Sequence, residues 1–513
     1  MTVFEDRRRF MQASLCMLLA ACGGGGSEGG DPGPVPEKNI DDAVAKLDQL
    51  VADLMASTGV PGVAVAVVRG ERTIYAKGFG TRHIGTQSPV DADTVFQLAS
   101  VSKSVGATVV AREVGHGRIA WDSPMRERLP WFELSDREAT HLVTIGDLYG
   151  HLSGLPDHIG DRLEDMGYDQ RTVLERLRHV PLDGFRKKYH YTNFGLTAAG
   201  LAVAAAAGTD WATLSEQAIY VPLGMTRTSS RFADFAARSN RVTGHREVDG
   251  KWVVVEPARM PDAQAPAASV TSSVNDMAKW LALLLGDGVF GGRRVVDANA
   301  LMKATSPRFE TSAAGDGHTA SYYGFGFNAG TTLAGRRSYS HSGGFGLGAA
   351  TVFKVVPSTG LAVIVLTNGY PVGAPETLSA QFFDLVEHRA IQYDYAAIFG
   401  AIYAGIGAPE GSLVGVPAPT APMPPSRALA DYRGTYRNDY HGPLVVELVG
   451  GSLMLTLGPA PLRLPLAHWD ADVFTFMLDN ENAAPGTISK ATFAPGRVTL
   501  EYYDHHGLGT FVL

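Results

Sequence analysis

A serine and a lysine three positions apart, Ser100 and Lys103, sit in the run Phe96-Gln97-Leu98-Ala99-Ser100-Val101-Ser102-Lys103-Ser104-Val105. On a helix, positions i and i+3 share a face, so the Lys103 amine can lie one turn from the Ser100 hydroxyl. A lysine so placed can help take the serine proton and support its alkoxide, and a helix N-terminus favours developing negative charge. That is the chemistry of nucleophilic acyl transfer. Taken alone the pair says little, because a serine followed by a surface lysine is common. Two further segments change its weight. Tyr189-His190-Tyr191-Thr192-Asn193-Phe194-Gly195 supplies Tyr191-x-Asn193 just before an apolar helix, and Tyr339-Ser340-His341-Ser342-Gly343-Gly344 supplies a His-Ser-Gly triplet ahead of a terminal strand pair.

With Ser100-x-x-Lys103, these segments follow the order and rough spacing of the penicillin-recognising serine hydrolases, and the sequence resembles the superfamily of class C β-lactamases, D,D-peptidases and esterases. Further matches carry the resemblance from about Asp41 to Glu387. Thr144–Pro156 is similar to the segment that family writes as LLTHTSGLP, and Pro222-Leu223-Gly224-Met225 to its PLGM turn. Thr271–Trp280 is similar to its STAxDLAxW helix, and Leu366-Thr367-Asn368 closes its usual final strand. The resemblance implies an α+β fold, an antiparallel sheet flanked by helices with a mainly helical insertion. It also implies roles. Ser100 attacks a carbonyl, Lys103 and Tyr191 move the proton, and water later resolves the acyl-enzyme. The backbone N–H groups of Ser100 and Gly344 hold the oxyanion. Asn193 orients the substrate amide, and the strand His341-Ser342-Gly343-Gly344 lines the substrate.

His341 takes the place of a lysine that binds carboxylate in many β-lactamases. An imidazole with the ordinary pKa of about 6.5 is mostly neutral at periplasmic pH. Carboxylate recognition and β-lactam turnover are therefore expected to be weak. If His341 does anchor a carboxylate, binding should weaken as pH rises through its pKa. The implied activity is hydrolysis of an amide or ester bond in a small molecule or short peptide, a peptidase or amidase first. A carboxylesterase, or a β-lactamase with weak carboxylate recognition, is the alternative. A non-catalytic homologue using the cleft as a receptor is the rival from another class, and three intact motifs speak against it.

These residues need a scaffold, and the periodicities outline one. From Asp41, apolar Val44, Leu47, Leu50, Val51, Leu54 and Met55 recur at helical spacing, with Asp41 or Asp42 as cap and Gly59 as stop. Val63–Val68 reads as a buried strand turning back into Thr73–Phe79. Leu196–Ala207 is a buried helix, Ala349–Val356 and Leu361–Thr367 are strands, and a helix follows Pro375. Strands at both ends around a helical middle predict one sheet built from distant segments. Six prolines between Ala408 and Pro425 mark a semi-rigid connector, so the chain divides into a hydrolase domain at 40–405, a linker at 406–428 and a β domain at 429–513. The last shows short apolar runs at ten-residue intervals and predicts an antiparallel sandwich or barrel; its Tyr432-x-Gly434-x-Tyr436 resembles a β module appended to many of these hydrolases. Tyr440, His468 and Trp469 could serve a substrate-binding lid there, although Trp469, like Trp121, Trp131, Trp211 and Trp280, is most simply core.

Composition narrows the partners. The 513 residues carry 44 Lys+Arg against 52 Asp+Glu, a formal −8, which lacks the basic footprint of a nucleic-acid binder. The histidines are scattered without metal spacing, so neither a metal nor another cofactor is expected. Both cysteines, Cys16 and Cys22, lie at the start, where Arg7-Arg8-Arg9 and the apolar Ala13–Ala21 form a secretory signal. Leu19-Ala20-Ala21-Cys22 resembles the bacterial lipoprotein box, which implies removal of 1–21, lipidation of Cys22, a tether at 22–39 and membrane attachment through the lipid. An ordinary signal cut after Ala21 is the alternative. Gly23 points to the outer membrane, facing the periplasm, and Asp6–Gln12 resembles a twin-arginine export signal as much as a generic basic region.

Overall fold

An unbroken apolar run cannot leave one face to solvent, and Val63–Val68 is buried along its whole length in strand β1 (Gly62–Arg69). A turn with Gly70 at φ 57° sends the chain back along β2 (Arg72–Gly80). In this computed structural model, which describes residues 32–313 and 320–513, the chain folds as two compact units. The first comprises residues up to Leu129 with Thr144–Leu152 and Leu196–Ile406. The second comprises Pro130–Val143, Ser153–Gly195 and Gly407–Leu513. The expected signal segment, Cys22 and most of the tether lie outside the described residues.

The first unit is organised by an eight-stranded antiparallel sheet. Its remaining strands are β3 (Phe309–Ser312), β4 (Ser321–Tyr323), β5 (Asn328–Thr331), β6 (Arg337–Phe345), β7 (Ala349–Val356) and β8 (Leu361–Thr367), in the order β2-β1-β8-β7-β6-β5-β4-β3. Val65 of β1 pairs with Val365 of β8, so the ends of the unit do meet in one sheet. The longer helices are α1 (Glu37–Ala45), α2 (Leu47–Thr58), α3 (Val101–Gly115), α4 (Asn193–Ala207, in this unit from Leu196 onward), α5 (Val274–Leu285), α6 (Ala374–His388) and α7 (Tyr395–Ile406). Strand side chains alternate between faces. One face gives Val63, Val65, Val67, Val352 and Val363 to a cluster with Leu47, Val51 and Leu54 of α2 and Leu378 and Phe382 of α6. On the other, Phe353 meets Trp280 of α5 with ring centroids 4.9 Å apart.

The first helix departs from expectation. Its backbone is already helical at Glu37, four residues before the expected caps, and it breaks at Lys46 before resuming at Leu47. Burial of Ile40 and Ala43, with Asn39 Nδ2 donating to Val386 O at 3.3 Å, holds the early turn in place. Helix α7 was not foreseen; its Tyr395, Phe399 and Ile402 form a cluster of their own.

In the second unit, the expected β domain is a nine-stranded antiparallel meander that nearly closes into a barrel. Its strands are β9 (Gly434–Asn438), β10 (Gly442–Val449), β11 (Ser452–Leu457), β12 (Leu462–Pro465), β13 (Ala467–Asp470), β14 (Val473–Leu478), β15 (Thr487–Ala494), β16 (Arg497–Leu500) and β17 (Thr510–Val512). The last strand, β17, inserts between β9 and β16. Tyr432 and Tyr436 are buried core residues packed edge-to-face around Phe493. Two aromatic expectations need correction: Trp469 is only half-buried, and so is Trp131, whose ring lies 3.4 Å beneath the Arg171 guanidinium.

Candidate active site

The sequence around Ser100 is tied down from several sides. Phe96–Gln97 pairs with Thr271–Ser272, and Leu98 N–H donates to Val270 O at 2.9 Å. Ala99 then takes φ 47°, a costly conformation for a residue with a Cβ, and Ser100 caps helix α3. Lys103 lies one turn on. Its Nζ donates to Ser100 Oγ at 2.9 Å and to Ala267 O at 3.2 Å, and the side chain is fully buried. The neighbouring serines are committed elsewhere: Ser102 Oγ accepts from Val270 N–H at 3.0 Å, and Ser104 Oγ donates to Gly326 O at 2.5 Å. Of the three serines, Ser100 alone is not buried.

Strand β6 brings the third motif to the same place. Alternation puts His341 and Gly343 on the α3 side and Ser342 and Gly344 on the other. A Cβ on Gly343 would come 2.8 Å from Ser100 N and 2.4 Å from Leu98 O, so the motif backbone runs directly against the start of α3. Thr351 Oγ1, on the paired β7, donates to Leu98 O at 2.8 Å and locks this approach. Ser342 was expected on the strand that lines the substrate. Its side chain lies on the face covered by α6 and α7, beside Glu376, whose carboxyl is pushed up by burial while the Tyr403 and Ser342 hydroxyls oppose the shift. Tyr403 Oη donates to Glu376 Oε1 at 2.7 Å. What Ser342 can offer a substrate is its backbone.

His341 is buried and polar on both ring nitrogens: Nδ1 lies 2.5 Å from Ser342 O and Nε2 2.9 Å from Tyr323 Oη. A carbonyl can only accept, so Nδ1 carries the hydrogen and Nε2 accepts from the tyrosine. Burial first, then the neighbouring Lys103 charge, hold the imidazole down to about 3 against the smaller effect of the Ser342 carbonyl. The imidazole is therefore held neutral at ordinary pH, in keeping with the expected weak recognition of a carboxylate. Because the folded pKa lies below the unfolded one, the unfolded chain takes up a proton between about pH 6.5 and 3 that the native site refuses. This group's share of stability is complete above pH 6.5 and lost as pH falls through that window. Urea titrations should show wild type losing about 3 kcal/mol more than His341→Asn on going from pH 7 to pH 4. Between pH 5 and 8, KM for carboxylate-bearing and neutral substrates should respond to pH alike.

The second motif belongs to the second unit. Tyr191 N–H donates to Asp157 Oδ1 at 2.6 Å, and Tyr191 O accepts from His158 N–H at 2.9 Å. Asn193, the first residue of α4, donates from Nδ2 to Asp161 Oδ2 at 2.8 Å, and His158 Nδ1 faces the same oxygen at 2.9 Å. The structure thus gathers Ser100, Lys103, His341, Gly343 and Gly344 in one unit, and Tyr191 and Asn193 on one carboxylate-bearing loop in the other. Sequence reading missed Tyr323, Thr351, Asp157 and Asp161. The two aspartates stand just after Leu155-Pro156, close enough to a recognised segment to have been flagged. His151 is buried, its ring centroid 5.0 Å from that of Tyr323.

The beta-lactamase family matches residues 47–382, and a domain of unknown function, DUF3471, matches 418–500. The chain is 29% identical over 324 residues to a penicillin-binding protein 4 from Amycolatopsis lactamdurans, covering 60% of this chain and 81% of that protein. It is 31% identical over 198 residues to an esterase from Burkholderia gladioli, covering 35% of this chain and 50% of that one. An unguisins hydrolase from Aspergillus violaceofuscus is 24% identical over 497 residues, 86% of this chain and 84% of its own length. The octameric penicillin-binding protein homologue from Pyrococcus abyssi shares the fold at a TM-score of 0.60 and 19% identity, over 92% of this chain and all of that one. Since the family match runs from α2 into α6 and takes in the whole motif-bearing sheet, the chain belongs to the beta-lactamase family and has the fold of its serine hydrolases.

Proposed function

We propose that this chain hydrolyses amide or ester bonds through an acyl-enzyme on Ser100, as a peptidase or amidase ahead of a carboxylesterase or a β-lactamase. The observation that carries the reading is the 2.9 Å contact between Lys103 Nζ and Ser100 Oγ at the start of α3. The Ser100 proton leaves along the same line, carried by Lys103 and Tyr191 as their motifs imply. Ser100 Oγ then bonds to the substrate carbonyl carbon. The oxyanion is held by the N–H groups of Ser100 and Gly344, a role supported by the close approach of β6 to Ser100. Collapse expels the protonated amine or alcohol, and water attacks the acyl group to free Ser100. A neutral His341 weighs against substrates that need a cation beside their carboxylate, as penicillins do, and so ranks β-lactams last.

The test is a panel of D- and L-aminoacyl p-nitroanilides, short-chain p-nitrophenyl esters and a chromogenic cephalosporin, measured as kcat/KM. Amides leading, after correction for intrinsic reactivity, is the expected order. A cephalosporin turned over above 10⁵ M⁻¹s⁻¹, in the ordinary range of efficient enzymes, would reverse the ranking.

A further inference from the structure

The loop that holds the second motif is itself gripped by the C-terminal barrel, both lying in the second unit. His158 at φ 56° and Gly160 at φ 98° give this loop two left-handed residues, and the first of these carries a side chain. Such a conformation persists only where its surroundings impose it. The barrel supplies them. Gly160 N–H donates to the buried Tyr440 Oη at 2.9 Å, and Tyr440 is fixed in turn by Asn438 Oδ1 on its N–H and by Arg176 on its carbonyl, each at 2.9 Å. Asn482 Nδ2 donates to Asp165 Oδ2 at 2.9 Å and reaches Asp161 O at 3.4 Å. Backbones touch as well: Ala460 N–H donates to Met166 O at 3.2 Å, and a Cβ on Gly458 would stand 2.2 Å from that same oxygen. These contacts bracket Asp161, whose carboxylate holds Asn193.

We infer that the C-terminal barrel positions the Tyr191-x-Asn193 motif, with Tyr440 and Asn482 as positioning residues acting through Gly160 and Asp161. The inference rests on the proposed role of Asn193 as the group that orients a substrate amide. It follows that loosening the barrel's grip should harm amide substrates more than esters, which offer no amide N–H to orient.

Full-length Tyr440→Phe removes one hydroxyl and keeps the ring, and Asn482→Ala removes a half-exposed amide; exposed Met477→Ser on β14 is the control. Each is compared with wild type on an aminoacyl p-nitroanilide and a p-nitrophenyl ester, alongside fluorophosphonate labelling of Ser100. Loss of one hydrogen bond corresponds to roughly 3–10-fold. The expected result is that kcat for the anilide falls by that factor in either variant, ester kcat falls less than twofold, Met477→Ser matches wild type, and labelling persists. Equal losses on both substrates, or none, would overturn the inference. Failure of wild type itself to label would instead count against the acyl-enzyme reading. Should Tyr440→Phe fail to fold, Asn482→Ala decides.

Discussion

Ser100→Ala is expected to lower kcat by about 10⁴-fold or more on any substrate the wild type turns over, because the variant has no atom to carry the acyl group. The fold should survive. Lys103 keeps its bond to Ala267 O, and the change deletes a single hydroxyl at a half-buried position, so stability should fall by about 1–2 kcal/mol. Stopped-time assays with circular dichroism on the same sample separate the two effects. Activity retained above 1% of wild type would remove Ser100 from the nucleophile's place, and Ser102 and Ser104 could not inherit it without giving up their bonds to Val270 and Gly326.

Gly343→Ala should be nearly as damaging for a different reason. The added Cβ would lie 2.4 Å from Leu98 O and 2.8 Å from Ser100 N, both backbone atoms, and 2.6 Å from Thr351 Oγ1. None of the three can swing aside, so β6 must withdraw from the start of α3. Moving Gly344 N–H away from the oxyanion by that step should cost about 10²–10³ in kcat/KM, with about 1–3 kcal/mol of overpacking strain. Gly400→Ala is the matched control. Nothing lies within 4 Å of a Cβ there, in helix α7, so activity should be unchanged and stability equal or higher by up to about 1 kcal/mol. Equal behaviour of the two variants would show that the close approach of β6 to Ser100 does not matter to catalysis.

What the sequence reveals here is what depends on neighbours along the chain. Strands β7 and β8 coincide with the expected Ala349–Val356 and Leu361–Thr367 because each is a largely apolar run bounded by the Pro357–Gly360 turn. The Ser100 and Lys103 pairing is legible for the same reason, since i and i+3 meet within one helical turn. Glu37–Asn39 was read as tether because its helical state depends on packing that includes the Asn39 bond to Val386, 347 positions away, which no local cap records. Tyr323 was invisible as a partner of His341: β4 is three residues long, and the two side chains meet only across β5. Asp157 and Asp161 stood in plain view, but their meaning came from Tyr191 and Asn193 returning 34 and 32 positions later. Nor does any periodicity tell that 153–195 packs with the C-terminal residues. A helix's apolar stripe says that something covers it, and not what.

The acyl-enzyme on Ser100 is tested most directly by intact mass after incubation of the wild-type chain with a fluorophosphonate, followed by peptide mapping of the adduct. One adduct per chain on the peptide carrying Ser100, absent from Ser100→Ala, is the expected result. An adduct on any other residue, or a chain that turns over substrate yet never takes the label, would contradict it.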